Sequence, residues 1–173
     1  LLFFDQYFTL IDDKMFAKTN FTINNGSVTN METMHSITEF MRTNKTLKLM
    51  LNKHIDKFEN KLLNLKFEEL SNTLEIKNRK LYIPKMVIKS NALDVNLSGW
   101  HDFDNYIDYH FSFRFRELKS DLDASEFGII EDDGLGMKIF LNMAGQLDNP
   151  SYSIDKGEMK ATFKENVTEE KET

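Results

Sequence analysis

A strict alternation of apolar and polar residues runs through residues 105–116, which have the sequence NYIDYHFSFRFR. The odd positions hold the apolar side chains Ile107, Tyr109, Phe111, Phe113 and Phe115. A period of two predicts a β-strand with one apolar and one hydrated face. At roughly 3.3 Å per residue, such a strand would extend about 40 Å. The fold must therefore provide a cover for a long aromatic row.

Similar alternation recurs along most of the chain, which predicts a mostly β fold. Strands are predicted at residues 17–23, 63–76, 81–89, 93–98, 137–146 and 152–154. In the fourth of these segments the apolar positions are Leu93, Val95 and Leu97. Short polar connections such as 77–80 join the segments, and short connections imply that neighbouring strands are antiparallel.

Local irregularities are predicted at three places in these strands. The residues from Asn24 to Ser27 tolerate positive φ and predict a tight turn that would make a first hairpin. The apolar residues change parity near Glu68 and Glu69, which predicts a bulge or a bend. Pro84 has no N–H to donate, so its strand is expected either to lie at an edge or to bulge there.

Two amphipathic segments follow the first predicted hairpin. The first segment begins at the potential cap Asn30, and its apolar positions at steps of three and four are Met31, Met34, Ile37, Phe40 and Met41. The second segment, 45–62, has an apolar stripe made of Leu47, Leu51, Ile55, Phe58 and Leu62. The predicted fold is thus α+β and mostly β, an antiparallel sheet with one or two amphipathic helices lying on it.

Composition limits the classes of function that this chain can have. With 173 residues it is expected to form one domain with its own core, here placed at 1–155, followed by a charged and flexible tail at 156–173. The absence of cysteine excludes disulfides, thiolate metal sites and cysteine nucleophiles. A net charge of −6 disfavours nucleic-acid binding. Residues 120–136 are expected to form a long acidic loop.

The ends of the sequence suggest a piece of a longer protein. The opening run LLFFDQYF has the character of the interior of a secondary-structure element. No stretch has the roughly 20 apolar residues of a membrane-spanning helix, and no signal peptide is visible. We therefore expect a fragment of a longer protein, from which any targeting or anchoring segment has been left out.

A search for catalytic and binding motifs finds no reaction centre. The four histidines are scattered without zinc-ligand spacing, and neither a GxSxG elbow nor a P-loop is present. The acidic run Glu131 to Asp133 lacks the alternating ligands of a calcium loop, which favours a solvated hairpin loop. In 105–116 the arginines and the aromatic residues have opposite parity, so an RNA-stacking platform is disfavoured. We expect neither an enzyme nor a metal or cofactor.

Apolar area provides the remaining functional argument. Several strands carry apolar rows, whereas only two helical segments are available to cover them. Surplus apolar surface marks a partner, a membrane or a ligand groove. The alternative is that the sheet curls over its helices and closes its own core.

Three segments in this order resemble the C-terminal region of the AsmA family of bacterial envelope proteins, in its Bacteroidetes-like form. These are FTINNGSVTNMETM at 21–34, the strand-rich run LKFEEL…FSFRF at 65–115, and EFGIIEDDGLGMKIFLNMAGQLDNP at 126–150. Together they span most of the chain, and what they share with the family is strand pattern and turn residues. The second helical segment looks longer than is usual in the family.

This resemblance implies a curved β-groove of the kind related to TamB and to bridge-like lipid-transfer proteins. It also implies a periplasmic body, anchored in the inner membrane by an N-terminal helix, that carries phospholipid toward the outer membrane without catalytic residues. The residues expected to face acyl chains, or else to form core, are Leu93, Val95, Leu97, Ile107, Tyr109, Phe111, Phe113 and Phe115. The alternative is a capping or protein-interaction module of an outer-membrane assembly factor that carries no lipid.

Overall fold

In the part of the chain that the structure describes, seven β-strands follow one another in chain order across one antiparallel sheet, which is curved and does not close. The computed structural model describes residues 4–9, 11–29, 32–51, 55–91, 94–114 and 138–162. The strands are β1 Ala17–Thr29, β2 Asn64–Lys77, β3 Lys80–Ile88, β4 Val95–Asp102, β5 Tyr106–Arg114, β6 Lys138–Gln146 and β7 Asn149–Ile154. The predicted mostly β, antiparallel architecture is confirmed. The expected acidic loop at 120–136, including Glu131 to Asp133, lies outside the described residues.

Among the described residues, three α-helices lie between β1 and β2. They are α1 Glu32–Thr43, α2 Lys45–Leu51 and α3 Ile55–Leu62, and a 3₁₀ turn, Asp12–Lys14, precedes β1. Asn44 is the N-cap of α2, because its Oδ1 accepts hydrogen bonds from the backbone N–H groups of Thr46 and Leu47 at 3.1 and 3.3 Å. The sequence predicted one helix over 45–62, and the described part of this segment is assigned as two helices, α2 and α3. Residues 52–54 between them lie outside the described residues.

The tight turn predicted at Asn24 to Ser27 is wrong, because β1 continues through it for 13 residues. Asn25 does take a positive φ of 54°, but Gly26 remains paired with Phe67 of β2. The irregularity predicted near Glu68 and Glu69 is not a bulge, because the pairing of β1 with β2 keeps one register through these residues, although both of them are exposed in succession. Since both strands change face at the same level, their register stays constant, and the helices follow a first strand rather than a first hairpin.

Local turn chemistry closes the hairpins that the sequence does predict. Asn78 and Arg79 both have positive φ, of 51° and 58°, as a two-residue type I′ turn between β2 and β3 requires. Between β4 and β5, Asn105 has φ of 63°. Asp102 Oδ1 stabilises that loop by accepting the N–H groups of Asp104 and Tyr106 at 3.0 and 2.8 Å.

A break in the pairing of β2 with β3 begins at Pro84. Ladder pairing between the two strands stops at the Glu75–Tyr82 pair, and the register of β3 with β4 shifts between Ile83 and Met86. The bulge predicted for Pro84 is thus confirmed, although its strand is an inner one. The strands meet again at a single bridge between Phe67 and Ser90. We call the unpaired stretch the β2–β3 break.

The main core lies between the helices and one end of the sheet. Its buried members are Ile37, Met41, Leu47, Ile55, Leu62, Phe113, Ile139, Leu141 and Met159. Met159 belongs to a helical segment at 156–162, so the helix begins where the flexible tail was expected, and its side chain packs into the core. Residues 163–173 lie outside the described residues.

Candidate functional site

The described members of the predicted aromatic and aliphatic row lie on one face of the sheet. Residues that are directly opposite in paired strands point to the same face, and Leu97 is opposite Phe111 while Phe111 is opposite Leu141. Alternation along β4 and β5 then adds the remaining described members, Val95, Ile107, Tyr109 and Phe113. Leu93 and Phe115 lie outside the described residues. We call this side of the sheet the apolar face.

Helices cover the Phe113 end of the apolar face. Phe113 is only 4% exposed and packs in one cluster with Ile37 and Met41 of α1, while Val95 and Phe111 are partly buried against it. At the β7 edge, the ring of Phe40 stacks on that of Tyr152 with centroids 5.6 Å apart. This end of the predicted row is therefore core in the isolated chain.

Tyr109 lies in the middle of the apolar face with its hydroxyl directed to a polar partner. Its Oη is 3.3 Å from Nδ1 of His101, and burial raises the pKa of the phenol. The ring makes edge contacts with Phe111 and His101 at centroid distances of 6.3 and 6.5 Å. It also occupies the space left by Gly99 on the neighbouring strand. Tyr109 thus ends the aromatic stack at a polar pair.

A small apolar cavity remains where the helices meet the sheet. It has a volume of about 100 Å³, and its lining includes Met34, Leu65, Ile88, Val95, Phe111 and Phe113. An engineered apolar cavity of about 150 Å³ stays dry and admits benzene, which gives the scale. The space suits the end of one acyl chain and is too small for a whole chain.

Apolar side chains of β1 to β3 continue the apolar face beyond the helices. The register carries the face from Ile107 through His101 and Leu81 to Ile76. Its half-buried members here are Phe21, Leu70, Leu74, Ile76, Leu81 and Ile83, and Ile23 is 47% exposed. Among the described residues, none of these seven belongs to the helix-covered cluster. We call them the apolar strip.

The opposite face of the sheet carries mainly polar side chains in the part that the structure describes. His110 contacts the Asn142 Oδ1 at 2.8 Å and the Asp108 Oδ1 at 3.3 Å, and Lys80 Nζ lies 3.5 Å from the Trp100 ring centroid. Within the described ranges, no group of three or more His, Asp or Glu residues could hold a metal ion. The apolar face is therefore the candidate functional surface.

The described residues of the sequence-predicted site share a face of the sheet with the apolar strip, but none of them belongs to the strip, and Ile107 is only 2% exposed. Periodicity identified the correct face of β4 and β5, but the helices cover one end of it. The apolar strip was missed as a site, although its alternation at 17–23 and 70–76 is visible in the sequence. Which strands a helix will cover is a tertiary property that periodicity does not contain.

No protein-family model, curated protein or solved structure matches this chain. Among the described residues, every helix is too short or too polar to cross a membrane. The function has to be inferred from the surface itself and from the strand pattern.

Proposed function

We propose that this chain is a non-enzymatic segment of an envelope protein that shields phospholipid acyl chains in an apolar β-groove during transfer between membranes. The observation that carries the proposal is the partial cover of the apolar face. Helices close its Phe113 end, whereas the apolar strip on β1 to β3 is left half-exposed. Surplus apolar surface of this kind is typical of ligand grooves and interaction sites.

The mechanism is passive and follows from the two faces of the sheet. An acyl chain lying along the apolar strip would lose contact with water, at about 0.8 kcal/mol for each methylene that is fully buried. The headgroup would remain hydrated at the groove margin, so no bond is formed or broken. Lipid would then move along its concentration gradient, and no catalytic residue is needed.

The resemblance to the AsmA family supports the cellular setting of this proposal. In that setting the body of the protein lies in the periplasm, and a helix upstream of Leu1 anchors it in the inner membrane. The unclosed sheet fits this setting, since further hairpins could extend the groove beyond the β1 edge. Outer-membrane biogenesis is the process that such a protein would serve.

A capping module that carries no lipid is the second candidate. The observation that favours it is the helix cover, because α1 and α3 seal Phe113 and leave a cavity of only about 100 Å³. In this version the helices end the groove, and the exposed surface docks a partner protein. The two candidates differ in whether lipid occupies the apolar strip.

Mass spectrometry of lipid extracted from the natively purified full-length protein tests the proposal. Ile23→Asp places a charge on the apolar strip, and Val87→Asp is the matched control because Val87 is 52% exposed on the opposite face. Both residues are exposed β-branched aliphatics, so neither change should unfold the domain. We expect phospholipid to co-purify with the wild type and with Val87→Asp, and to fall several-fold in Ile23→Asp.

Two results would contradict lipid shielding by this segment. One is wild-type protein without bound phospholipid. The other is equal lipid content in the two variants, with thermal unfolding showing that both are folded. Either result would favour the capping module. In a pull-down of envelope proteins, Ile23→Asp should then lose a partner that Val87→Asp retains.

A further inference from the structure

Beside the β2–β3 break, where Phe67 and Ser90 form their bridge, a cleft opens that is lined mainly by polar and charged residues. We call it the polar cleft. Its volume is about 560 Å³, and its lining includes Lys66, Phe67, Glu68, Lys89, Ser90 and Asn91. Strands β1 and β2 and the segment after β3 all contribute to it. The motif search of the sequence did not identify this cleft, because its residues come from three separate segments.

The charge in the cleft favours an anion. Lys66 and Lys89 are both exposed, and within the described residues neither ammonium group has a carboxylate within salt-bridge distance. Glu68 is the acidic residue in the lining, which leaves one net positive charge. This local sign is opposite to the net charge of −6 of the chain. Unpaired ammonium groups at the rim of a cleft attract phosphate.

Asn91 fixes the distance between β2, which carries Lys66, and the segment after β3, which carries Lys89. Its Oδ1 accepts the N–H of Lys66 at 2.7 Å, and its own N–H donates to the Lys66 carbonyl oxygen at 3.0 Å. Its Nδ2 donates to the carbonyl oxygen of Asn64 at 3.2 Å. These hydrogen bonds join the end of β3 to β2 where ladder pairing is otherwise lost. The cleft is therefore built on a braced backbone.

The polar cleft adjoins the apolar cavity under the helices. Ser90 lines both of them. Leu65 and Ile88 line the apolar cavity, and the next residue of each segment, Lys66 or Lys89, lines the polar cleft. Successive side chains in extended segments point to opposite sides, so Lys66 and Lys89 lie across the sheet from Leu65 and Ile88. Ser90, which lines both spaces, stands at the end of the unpaired β2–β3 break between the two sides. Such a boundary matches a molecule with a charged head and an apolar tail.

We propose that this cleft binds the phosphate of a phospholipid headgroup, with Lys66 and Lys89 as its cationic partners. The inference rests on the proposed lipid-shielding function and names the headgroup site for it. Glu68 is placed to attract a headgroup ammonium, so zwitterionic phosphatidylethanolamine fits the lining better than phosphatidylglycerol. The acyl chains would have to pass between the unpaired strands of the β2–β3 break to reach the apolar cavity and the apolar strip on the other side of the sheet.

Titration calorimetry of the full-length protein with soluble dihexanoyl-phosphatidylethanolamine tests the site. The variant is Lys66→Gln with Lys89→Gln. The matched control is Lys45→Gln with Lys160→Gln, which makes the same charge change at exposed positions outside the cleft. Loss of two charge-assisted contacts should weaken binding about tenfold or more in the cleft variant. The control should bind within about twofold of the wild type.

Two further titrations separate a lipid headgroup from free phosphate. Inorganic phosphate should bind more weakly than the dihexanoyl lipid, because it lacks the apolar tail. Glu68→Gln removes a like charge, so it should strengthen the binding of inorganic phosphate. The same substitution should reduce the preference for dihexanoyl-phosphatidylethanolamine over dihexanoyl-phosphatidylglycerol. The lysine variant should weaken the binding of inorganic phosphate and the glutamate variant should strengthen it, whereas a general loss of structure would weaken it in both.

The possible failures are distinguishable. Equal lipid affinity in the cleft variant and its control would overturn the headgroup site and leave acyl-chain shielding intact. Lysine-dependent binding of inorganic phosphate, without binding of either dihexanoyl lipid, would assign the cleft to free phosphate and overturn the headgroup site. Binding of neither probe by the wild type would also overturn the headgroup site, whereas acyl-chain shielding is overturned only if no phospholipid co-purifies or if its amount does not depend on Ile23.

Discussion

The ring of Tyr109 lies so close to Gly99 on the neighbouring strand that a Cβ at Gly99 would be 2.9 Å from Tyr109 Cδ1. The same Cβ would collide with the carbonyl oxygen of Asp108, and Gly99 has a φ of 148° that other residues rarely adopt. Gly99→Ala should therefore lower the free energy of unfolding by about 3 kcal/mol or more, as strain adds to overpacking. Urea denaturation followed by circular dichroism measures this change.

Gly145 is the control for the backbone component of that effect. It also has positive φ, of 113°, but the atom nearest to a Cβ there would be 3.9 Å away. Gly145→Ala should therefore cost about 1–2 kcal/mol, from strain alone. Equal losses in the two alanine variants would show that contact with Tyr109 and Asp108 does not add to the requirement for glycine.

The ring of Phe67 occupies the space beside Gly26, its partner on β1. A Cβ at Gly26 would overlap this ring. Gly26→Ala should cost about 1–3 kcal/mol in the wild type and clearly less when Phe67→Ala is also present. A double-mutant cycle of unfolding free energies measures this coupling. Additive losses would contradict direct packing of the ring on the glycine.

The carboxylate of Glu59 joins α3 to α1. Arg42 and the buried Thr38 both donate hydrogen bonds to it, and the bond from Arg42 is the main reason why the pKa of Glu59 is lowered. Because the pKa of Glu59 is lower in the folded than in the unfolded state, its carboxylate stabilises the fold at pH values above the unfolded-state pKa of about 4.3. This stabilisation is lost as the pH falls through the folded-state pKa. Glu59→Gln should cost about 1 kcal/mol at pH 7 and much less near pH 3. Urea denaturation at several pH values measures the difference.

Glu75 provides a surface comparison for this pH dependence. Its pKa is lowered by a hydrogen bond from Lys18, with which it forms an exposed salt bridge of 2.9 Å. Glu75→Gln should show the same direction of pH dependence with a smaller amplitude, because solvent and salt screen the pair. A larger effect for Glu75 than for Glu59 would contradict the proposed joining of the two helices.

The difference between covered and open parts of the apolar face predicts a difference in stability. Phe113→Ala should cost about 3–5 kcal/mol, because the side chain is 4% exposed within the core. Ile23→Ala, at a position that is 47% exposed, should cost about 1 kcal/mol or less. Thermal unfolding of both variants checks this order. Similar losses would indicate that the apolar strip is also sealed.

Much of the sheet could be predicted because its local chemistry agrees with its final pairing. The alternation of 105–116, the turn at Asn78 and Arg79 and the bulge at Pro84 all depend on neighbours in sequence. The turn predicted at Asn24 to Ser27 failed because Gly26 is held in a long ladder with β2. Here tertiary pairing outweighs the turn propensity of asparagine and glycine.

The candidate site was less predictable than the fold. Alternation assigns Phe111 and Phe113 to the same face but gives no information about where α1 lies across it. The polar cleft depends on Asn91 joining the end of β3 to β2, a contact between residues 25 positions apart. Contacts of this kind arise only when the whole sheet has formed.

The order of the strands, each paired with its neighbour in sequence, has a consequence for how the domain assembles. Successive hairpins can join a growing sheet soon after their residues leave the ribosome, since such contacts require little loop closure. The pairings of β1 with β2 and of β5 with β6 are different, because residues 30–63, which include the three described helices, and residues 115–137 separate these strands in sequence. We expect β1 to dock late in folding, which would make this edge the natural place for hairpins to be added or lost during evolution.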